Sequence, residues 1–187
     1  LQAFDEVKHL IQNGDVYELN LCMPLKGKAS SNASWPLFCR LQNLTQAPFS
    51  GYLQCRSARI MSGSPERFLK REGDRLMSQP IKGTVRRGRS AEEDNALIDA
   101  LQSSEKERAE NVMIVDLVRN DLSRIAQKAT VEVTELCGIH SFQTVHQMVS
   151  TIECRLRKDK GLSDILRATF PMGSMKGAPK ISAMKHI

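Results

Sequence analysis

Apolar and polar residues follow one another along this chain with two different periods. Over residues 1–11 the apolar side chains recur every three or four positions, which predicts an amphipathic helix that ends at an Asn-Gly turn signal. Residues 15–23 alternate one by one and therefore predict a strand. A polar loop at 30–34 separates this strand from a second predicted helix at 35–44.

From residue 49 onward the alternating segments are short and are separated by turn residues. They predict a run of strands at 49–53, 58–62, 67–71 and 75–81. A helical pattern then runs with few breaks from Ala91 to about Ile125. Ser90 and Glu93, three residues apart, form a capping-box signal at the start of this helix.

Two further β-type segments, at 130–136 and 147–156, precede a short predicted helix at 163–170. The order is therefore strands, helices and strands again. It predicts an α+β fold of mostly antiparallel sheets with peripheral helices. We expect a single domain over residues 1–187. Because the chain has neither an initiator Met nor a capping signal at its end, we also expect it to be a fragment of a longer protein.

The formal charge of +6 and the isoelectric point of about 9.2 favour anionic partners, either nucleic acid or small anions. Only nine residues are aromatic (Trp 1, Tyr 2, Phe 6), which is few for a platform that stacks nucleic-acid bases. Apart from Arg86–Arg89 and 155–160, the basic residues are dispersed and are expected to be surface charges. We therefore expect no nucleic-acid partner.

The five cysteines are widely spaced and include no C-x-x-C pair. This usage favours a reducing, cytoplasmic setting in which thiols serve as small apolar groups. No apolar run approaches the roughly 18 residues of a membrane span, so no membrane association is expected.

Lys82, in the sequence PIKGT, is the first candidate for chemistry. On spacing alone, a surface lysine beside a glycine turn is the commoner interpretation. Partial burial, or a cation from Arg86, Arg87 or Arg89, would lower the pKa of a lysine amine and make it a nucleophile. The residues alone leave both interpretations open.

Three carboxylates are candidates of a second kind. Glu66, in SPERF, enters a predicted strand, where desolvation can turn a carboxyl group into a general acid. Glu107 and Glu110 share one helix face, and such a pair suits Mg²⁺. The simpler alternative for both is a solvated helix face next to Lys106 and Arg108.

Two more segments contain polar groups of interest. Gly173–Lys180, GSMKGAPK, combines glycines with a helix start and is typical of segments that receive carboxylates or phosphates. His146 and Gln147 are neighbours on an alternating strand, so only one of them can face a cleft. A core or edge histidine is the default interpretation of His146.

Five blocks in this order, SPERF, PIKGT, ERAENVMIVDLVRND, VHQMVST and GSMKGAPK, resemble the chorismate-utilising enzymes, the family of aminodeoxychorismate, anthranilate, isochorismate and salicylate synthases. The resemblance runs from about Gly14 to the end of the chain. It implies the fold of that family, antiparallel sheets packed as a sandwich with peripheral helices. The lysine in PIKGT resembles the 4-aminating members, whereas anthranilate-forming members carry alanine there. The implied activity is the conversion of chorismate and ammonia to 4-amino-4-deoxychorismate in 4-aminobenzoate and folate biosynthesis.

The resemblance also implies roles for individual residues. The Lys82 amine would attack C2 of the chorismate ring as the 4-hydroxyl leaves, and Glu66 would serve as acid and base. Mg²⁺ would be held by Glu110, with Glu107 binding directly or through water. A glutamine amidotransferase partner would supply the ammonia. Substrate contacts are implied for Gly83, Thr84, His146, Gly173, Ser174, Gly177 and Lys180.

The chain departs from the family pattern at several places. Glu18 stands where amidating relatives usually carry glutamine and isochorismate synthases carry a general-base lysine, so its role is open. Gln147, not His146, aligns with the histidine of anthranilate synthases, which leaves a catalytic use of His146 doubtful. Since the family continues beyond Ile187 with further Mg²⁺ ligands, we expect the chain alone to be inactive. Anthranilate synthesis, isochorismate synthesis, a non-catalytic member and a basic nucleic-acid-binding module remain alternatives.

Overall fold

The computed structural model describes residues 2–28 and 33–186; of the loop predicted at 30–34, residues 30–32 lie outside the described part. The described residues form two compact units. One combines the residues up to Leu21 with those from Phe68 onward, and the other comprises the described residues from Cys22 to Arg67.

The helices are α1 Gln2–Gln12, α2 Ser34–Thr45, α3 Ala91–Ser103, α4 Glu105–Ser123, α5 Leu162–Thr169, α6 Gly173–Lys176 and α7 Lys180–Lys185. The strands are β1 Glu18–Leu19, β2 Phe49–Gln54, β3 Arg59–Ser64, β4 Arg67–Glu72, β5 Arg75–Gln79, β6 Ile81–Arg86, β7 Glu132–Ser141, β8 Val145–Arg155 and β9 Gly177–Ala178. The helices predicted at 35–44 and 163–170, and the strands predicted at 49–53 and 67–71, are confirmed to within one residue at each end.

The smaller unit is built from helix α2 and the antiparallel hairpin of β2 and β3. Phe38 of α2 is buried, and its ring lies 5.6 Å from that of Tyr52 on β2. Trp35 packs edge-on against the same tyrosine, with the ring centroids 5.3 Å apart. The three aromatic side chains pack together, and Phe38 is the buried member of the group.

Strand β8 is the centre of the larger unit. It pairs antiparallel with β5, β6 and β7. The fifth strand of this sheet, β4, is the neighbour of β5. Nine consecutive residues of β8, 146–154, are buried, so both faces of the strand are covered.

The strand predicted at 75–81 is wrong in one respect, because it is two strands. Ser78 of β5 is opposite Ile152 of β8, and Ile81 of β6 is opposite Val149, so both strands pair with the same partner. Pro80 lies between them. It has no N–H to donate, although its carbonyl oxygen accepts a hydrogen bond from the Ser150 N–H at 3.1 Å.

Helix α4 covers the sheet and supplies much of the core. Ile114, Val115 and Leu122 of α4 are almost fully buried, and α4 packs on β6, β7, β8 and α5. Val115 and Leu122 join one hydrophobic cluster with Leu76 of β5 and Ile152 of β8. The position of α4 against β6 is what brings its first turn to the candidate site.

The helical pattern predicted with few breaks from Ala91 to Ile125 forms two helices, because it breaks at Ser104. Ser104 has the extended conformation (φ −66°, ψ 107°) and its hydroxyl accepts a hydrogen bond from the Glu107 N–H. Serine is a preferred N-cap residue, and SEKE at 104–107 has the S-x-x-E spacing of a capping box. Helix α4 therefore begins anew, with Glu107 in its first turn.

The strand predicted at 15–23 is much shorter in the structure. Within the described residues only Glu18 and Leu19 pair, with Ala178 and Gly177 of β9. A side chain at Gly177 would overlap the Glu18 carbonyl oxygen, so this close approach of the two backbones requires glycine. The pairing fixes the position of Glu18.

Two of the five cysteines have the apolar environment that was predicted for them. All five cysteines are free thiols, and Cys137 and Cys154 are buried. Burial raises the pKa of Cys154 to about 11, as expected for an apolar role. In the part of the chain that the structure describes, no helix has both the length and the low polarity needed to cross a bilayer.

The N-cap at Ser104 gives a first testable prediction. Ser104→Ala should lower the free energy of unfolding by about 0.5–2 kcal/mol, because a helix N–H loses its partner. Ser103→Ala is the matched control, since the Ser103 hydroxyl only donates to carbonyl oxygens within its own helix. Urea unfolding followed by circular dichroism measures both. Equal effects of the two substitutions would contradict the capping role.

Candidate active site

Lys82 lies on β6 and points into the larger unit. Its Nζ donates a hydrogen bond to Oε1 of Glu18 at 2.6 Å, and the two side chains are only 16% and 19% exposed. The surface-lysine interpretation therefore does not describe this residue. The ion pair joins β6 to β1, 64 residues apart in the chain.

The second oxygen of the Glu18 carboxylate is in a different environment. Oε2 is buried, and within the described residues it has no hydrogen-bond partner. A buried acceptor without a partner is unfavourable, since it has lost its water. Only one of the two Glu18 carboxylate oxygens therefore has a hydrogen-bond partner among the described residues.

Two of the arginines after Lys82, Arg86 and Arg87, have carboxylate partners of their own. Arg86 pairs with Glu93, and Arg87 pairs with Asp94 at 2.7 Å. Both carboxylates lie in the first turn of α3. The charged group in contact with Lys82 is instead an anion.

Gly83 brings the first turn of α4 against β6. Its φ is +89°, and the β6–β8 register shifts between Ile81 and Thr84. A Cβ at this position would lie 3.0 Å from Leu101 Cδ1 and 3.2 Å from Oε2 of Glu107. The Glu107 carboxylate therefore occupies the space that glycine leaves open, one residue from Lys82.

Glu107 and Glu110 share the face of α4 that was predicted. Their side chains are 27% and 35% exposed, and Lys106 Nζ lies 4.0 Å and 3.8 Å from one oxygen of each. Among the residues that the structure describes, no group of three or more metal-binding side chains is present. Mg²⁺ needs only one or two carboxylates when waters and substrate oxygens complete its shell, so this pair fits Mg²⁺.

The other residues expected to contact substrate fall into two groups. Thr84, on β6, accepts a hydrogen bond from Gln147 Nε2 at 3.4 Å. Gly173 and Ser174 are in α6, and the Ser174 carbonyl accepts from Asn20 Nδ2 at 2.9 Å. Both groups therefore lie on elements that border the Lys82–Glu18 pair: β6 itself, and the segment joined to β1.

Lys180 has a protein partner. Its Nζ donates to Asp121 Oδ2 at 2.8 Å and to the Thr169 carbonyl at 3.0 Å. Burial raises the pKa of Asp121, and the Lys180 charge opposes that change. Lys180 fixes α7 to α4 through this ion pair.

An open groove of about 830 Å³ runs beside the same elements. It is mainly apolar and is lined by residues that include Tyr17, Val112, Leu117, Pro179 and Ile181. Lys82 and Glu18 do not line it. Arg108, Arg124 and Lys180 also line it, so the groove combines apolar walls with basic side chains.

His146 is fully buried, and both of its ring nitrogens are bonded. Nε2 lies 2.9 Å from Asp94 Oδ1, and Nδ1 lies 2.8 Å from the Ser141 hydroxyl. Because an ionised carboxylate only accepts, Nε2 carries the proton that it donates to Asp94. His146 thus joins α3 to the end of β7, whereas its neighbour Gln147 reaches Thr84.

Asp94 is the centre of that cluster. Hydrogen bonds from the Arg87 guanidinium, the Gly88 N–H and His146 hold the pKa of Asp94 well below its usual range. Sequence reasoning missed this residue. Its signal was the third acidic residue after the Ser90 cap, next to a run of arginines.

Glu66 belongs to the smaller unit and is half-buried just before β4. Its N–H donates to the Ser64 hydroxyl at 3.3 Å, and that hydroxyl donates to the Glu66 carbonyl at 3.2 Å. This local turn fixes the backbone of Glu66. Lys82, Gly83, Glu107 and Gly177 are brought together in the larger unit.

Comparison with known proteins agrees with this architecture. The profile of the chorismate binding enzymes matches residues 1–187. The chain belongs to this family. Aminodeoxychorismate synthase component 1 of Escherichia coli strain K12 is 41% identical over 186 residues, which are 100% of this chain and 41% of that protein. The chain therefore spans less than half of this family member.

Two solved structures have the same fold. Anthranilate synthase component I of Streptococcus pneumoniae TIGR4 matches with a TM-score of 0.79 at 30% identity, over 100% of this chain and 40% of that one. A putative 2,3-dihydroxybenzoate-specific isochorismate synthase, DhbC, of Bacillus anthracis matches with a TM-score of 0.73 at 18% identity, over 100% of this chain and 51% of that one. The predicted α+β class with antiparallel sheets is confirmed, and so is the family resemblance.

The contact at Gly83 gives a second prediction. Gly83→Ala should lower the free energy of unfolding by about 1–3 kcal/mol, because alanine is strained at this φ and meets Leu101 and Glu107. Gly51→Ala is the control, since Gly51 has open space around its Cβ position. Thermal unfolding compares the two variants. An unchanged midpoint for Gly83→Ala would show that the contact does not constrain the fold.

The Asp94 cluster gives a prediction about pH. A carboxyl group with a lowered folded-state pKa stabilises the fold above its ordinary pKa of 3.8, and this stabilisation is lost as the pH falls toward the folded value. Asp94→Asn should therefore lower the urea midpoint at neutral pH, and the difference from the unsubstituted protein should shrink below pH 3.8.

The control for this measurement is Asp99→Asn on the same helix, outside the cluster. Its midpoint should follow the unsubstituted protein across the whole pH range. A difference for Asp94→Asn that stays constant down to the lowest pH would contradict the proposed cause.

Proposed function

We propose that residues 1–187 belong to one chorismate-binding catalytic domain of an aminodeoxychorismate synthase, which converts chorismate and ammonia to 4-amino-4-deoxychorismate. The observation that carries the proposal is the inward position of Lys82 in PIKGT, against a carboxylate and one residue from the Glu107 side chain. The relative at 41% identity bears the same name, aminodeoxychorismate synthase component 1.

The reaction divides one substitution into two steps at the lysine nitrogen. The neutral Lys82 amine forms a bond to C2 of the ring, the two ring double bonds shift, and the C4–O bond breaks as the hydroxyl leaves as water. Ammonia then adds at C4, the double bonds shift back, and the C2–N bond to Lys82 breaks. Two easier steps thus take the place of one difficult direct displacement.

Glu66 is our proposed acid for the departing 4-hydroxyl and the base for the incoming ammonia. This assignment comes from its place in SPERF, sixteen residues before Lys82 as in the family. Gly83, Thr84, Gly173, Ser174, Gly177 and Lys180 are proposed to line the substrate site. His146 has no direct part in this proposal, because both of its ring nitrogens bond to protein groups.

Glu110 and Glu107 would hold the magnesium ion of the site. When bound, the ion supplies positive charge to the ring carboxylate of the substrate. Glu107 is fixed by its place in the first turn of α4 and by Gly83, while Lys106 neutralises part of the charge of the pair.

A glutamine amidotransferase is the proposed source of ammonia. The relative from E. coli is called component 1, which implies a second component. The nucleic-acid alternative finds less support, since Arg86, Arg87, Arg155, Arg157 and Lys160 have carboxylate partners.

Anthranilate synthesis is the second candidate. It is favoured by the fold match to anthranilate synthase component I of S. pneumoniae, at 30% identity. The position of Lys82 separates the two candidates, because a nucleophilic lysine is needed for amination at C4 in this scheme. The product distinguishes them directly: 2-aminobenzoate is fluorescent and needs no further lyase.

The test uses the intact protein that contains this chain, with chorismate and Mg²⁺ but without ammonia. Intact-mass spectrometry should detect an adduct of chorismate less one water, and Lys82→Ala should abolish it. Lys128→Ala, at an exposed lysine, is the control and should form the adduct normally. Undiminished adduct in Lys82→Ala would exclude the nucleophile, and 2-aminobenzoate as the product with ammonia would exclude the 4-aminating activity.

A further inference from the structure

Glu18 is a carboxylate for which the reaction above gives no role. Its Oε1 lies 2.6 Å from the amine that has to lose a proton before it can attack. We propose that Glu18 takes this proton from Lys82 and returns it, so that the pair shares one proton throughout the cycle. This inference rests on the proposed function.

The two members of the pair are held by separate parts of the fold. Lys82 is fixed by β6, which pairs with the buried strand β8. Glu18 is fixed by β1, where the Tyr17 N–H donates to the Ala178 carbonyl at 2.6 Å and the Asn20 N–H donates to the Lys176 carbonyl at 3.1 Å. Strand pairing therefore holds the backbone of both residues, so that their side chains face each other.

Burial makes the transfer of the proton less costly than it is in water. With less than a fifth of either side chain exposed, the charged pair has lost most of its hydration. The Glu18 oxygen that lacks a partner adds to the cost of keeping the carboxylate charged. Moving the proton from Nζ to the carboxylate neutralises both groups at once, which removes that cost.

Most other titratable groups on the elements around the pair have partners of their own. On α4, Glu107 lies beside Gly83 and within 4.0 Å of Lys106. On β8 and α3, His146 and Asp94 bind each other. On α7, Lys180 pairs with Asp121. Lys176, at the end of α6, carries the remaining charge on the segment that pairs with β1.

The proton balance closes over the cycle. Lys82 gives one proton to Glu18 and attacks C2 as a neutral amine, so the adduct nitrogen is a secondary ammonium next to a neutral Glu18. When the C2–N bond breaks, both of its electrons return to nitrogen and Lys82 leaves as a neutral amine. Glu18 then gives the proton back, and the starting ion pair is restored. The solvent supplies and receives no proton at this site.

Internal transfer predicts an unusual pH profile. While the pair holds one proton in total, the fraction with a neutral amine does not depend on pH. The rate of adduct formation should therefore be flat with pH in the neutral range. Glu18→Gln keeps an oxygen near Nζ but cannot accept a proton, so its rate should rise about tenfold per pH unit until the amine is free.

The experiment measures adduct formation by the intact protein between about pH 6 and 9. Three variants accompany the unsubstituted protein: Glu18→Gln, Glu18→Asp and, as a control at an exposed ion pair, Glu135→Gln. Glu18→Asp should restore a flat profile at a lower rate, and Glu135→Gln should have no effect. Parallel profiles for Glu18→Gln and the unsubstituted protein would overturn the proposal, because a purely structural role lowers the rate equally at every pH.

A second measurement does not need chorismate. Acetylation of Lys82 by acetic anhydride, read by peptide mass spectrometry, should reach half its maximum at lower pH in Glu18→Gln, because the anion that favours the ammonium is gone. Lys180 in the same digest is the internal reference and should not change. An unmoved Lys82 midpoint would overturn the proposal. Absence of any adduct in the unsubstituted protein, with a moved midpoint, would overturn the proposed function and leave the shared proton standing.

Discussion

A part-buried ion pair between Lys82 and Glu18 is the interaction on which the candidate site depends. Taking two charges out of water is costly, and the attraction between them compensates only when the geometry is good. The fold supplies that geometry through two glycines. Gly177 lets β9 approach the backbone of Glu18, and Gly83 lets the first turn of α4 approach β6. A larger residue at either place would move one wall of the site away from the amine.

The sequence predicted the parts of the fold that local signals determine. Helices with a regular apolar period and hairpins with turn residues were confirmed, and so was the side-chain cap at Ser90. The errors arose where a local pattern competed with a second one. Ser104 restarts a helix inside a continuous apolar period, because its capping signal is stronger than helix propagation through it. The alternation at 15–23 gave only a two-residue strand, because a strand also needs a partner and β9 has two residues.

The site was predictable to a similar extent and for a similar reason. The face shared by Glu107 and Glu110 follows from helical spacing, and Lys82 was identified from its motif. The charged partner of Lys82, Glu18, was not predicted. The arginines that follow Lys82 are close to it in sequence. In the structure, Arg86 and Arg87 pair with carboxylates in the first turn of α3 instead. The partner of Lys82 comes from a strand 64 residues earlier, and only long-range pairing of the chain brings it there.

The family fold alone does not fix the reaction. This chain matches an anthranilate synthase and a putative isochorismate synthase almost equally well in its backbone, although those two proteins are named for different activities. The difference must therefore lie in side chains that meet the ring, and two of them are in contact here. A lysine that can attack carbon makes a covalent route available, whereas the carboxylate beside it decides where the proton goes. Because an ion pair of this kind already contains the proton that has to move, activation of the amine becomes a property of the pair and not of the surrounding solution.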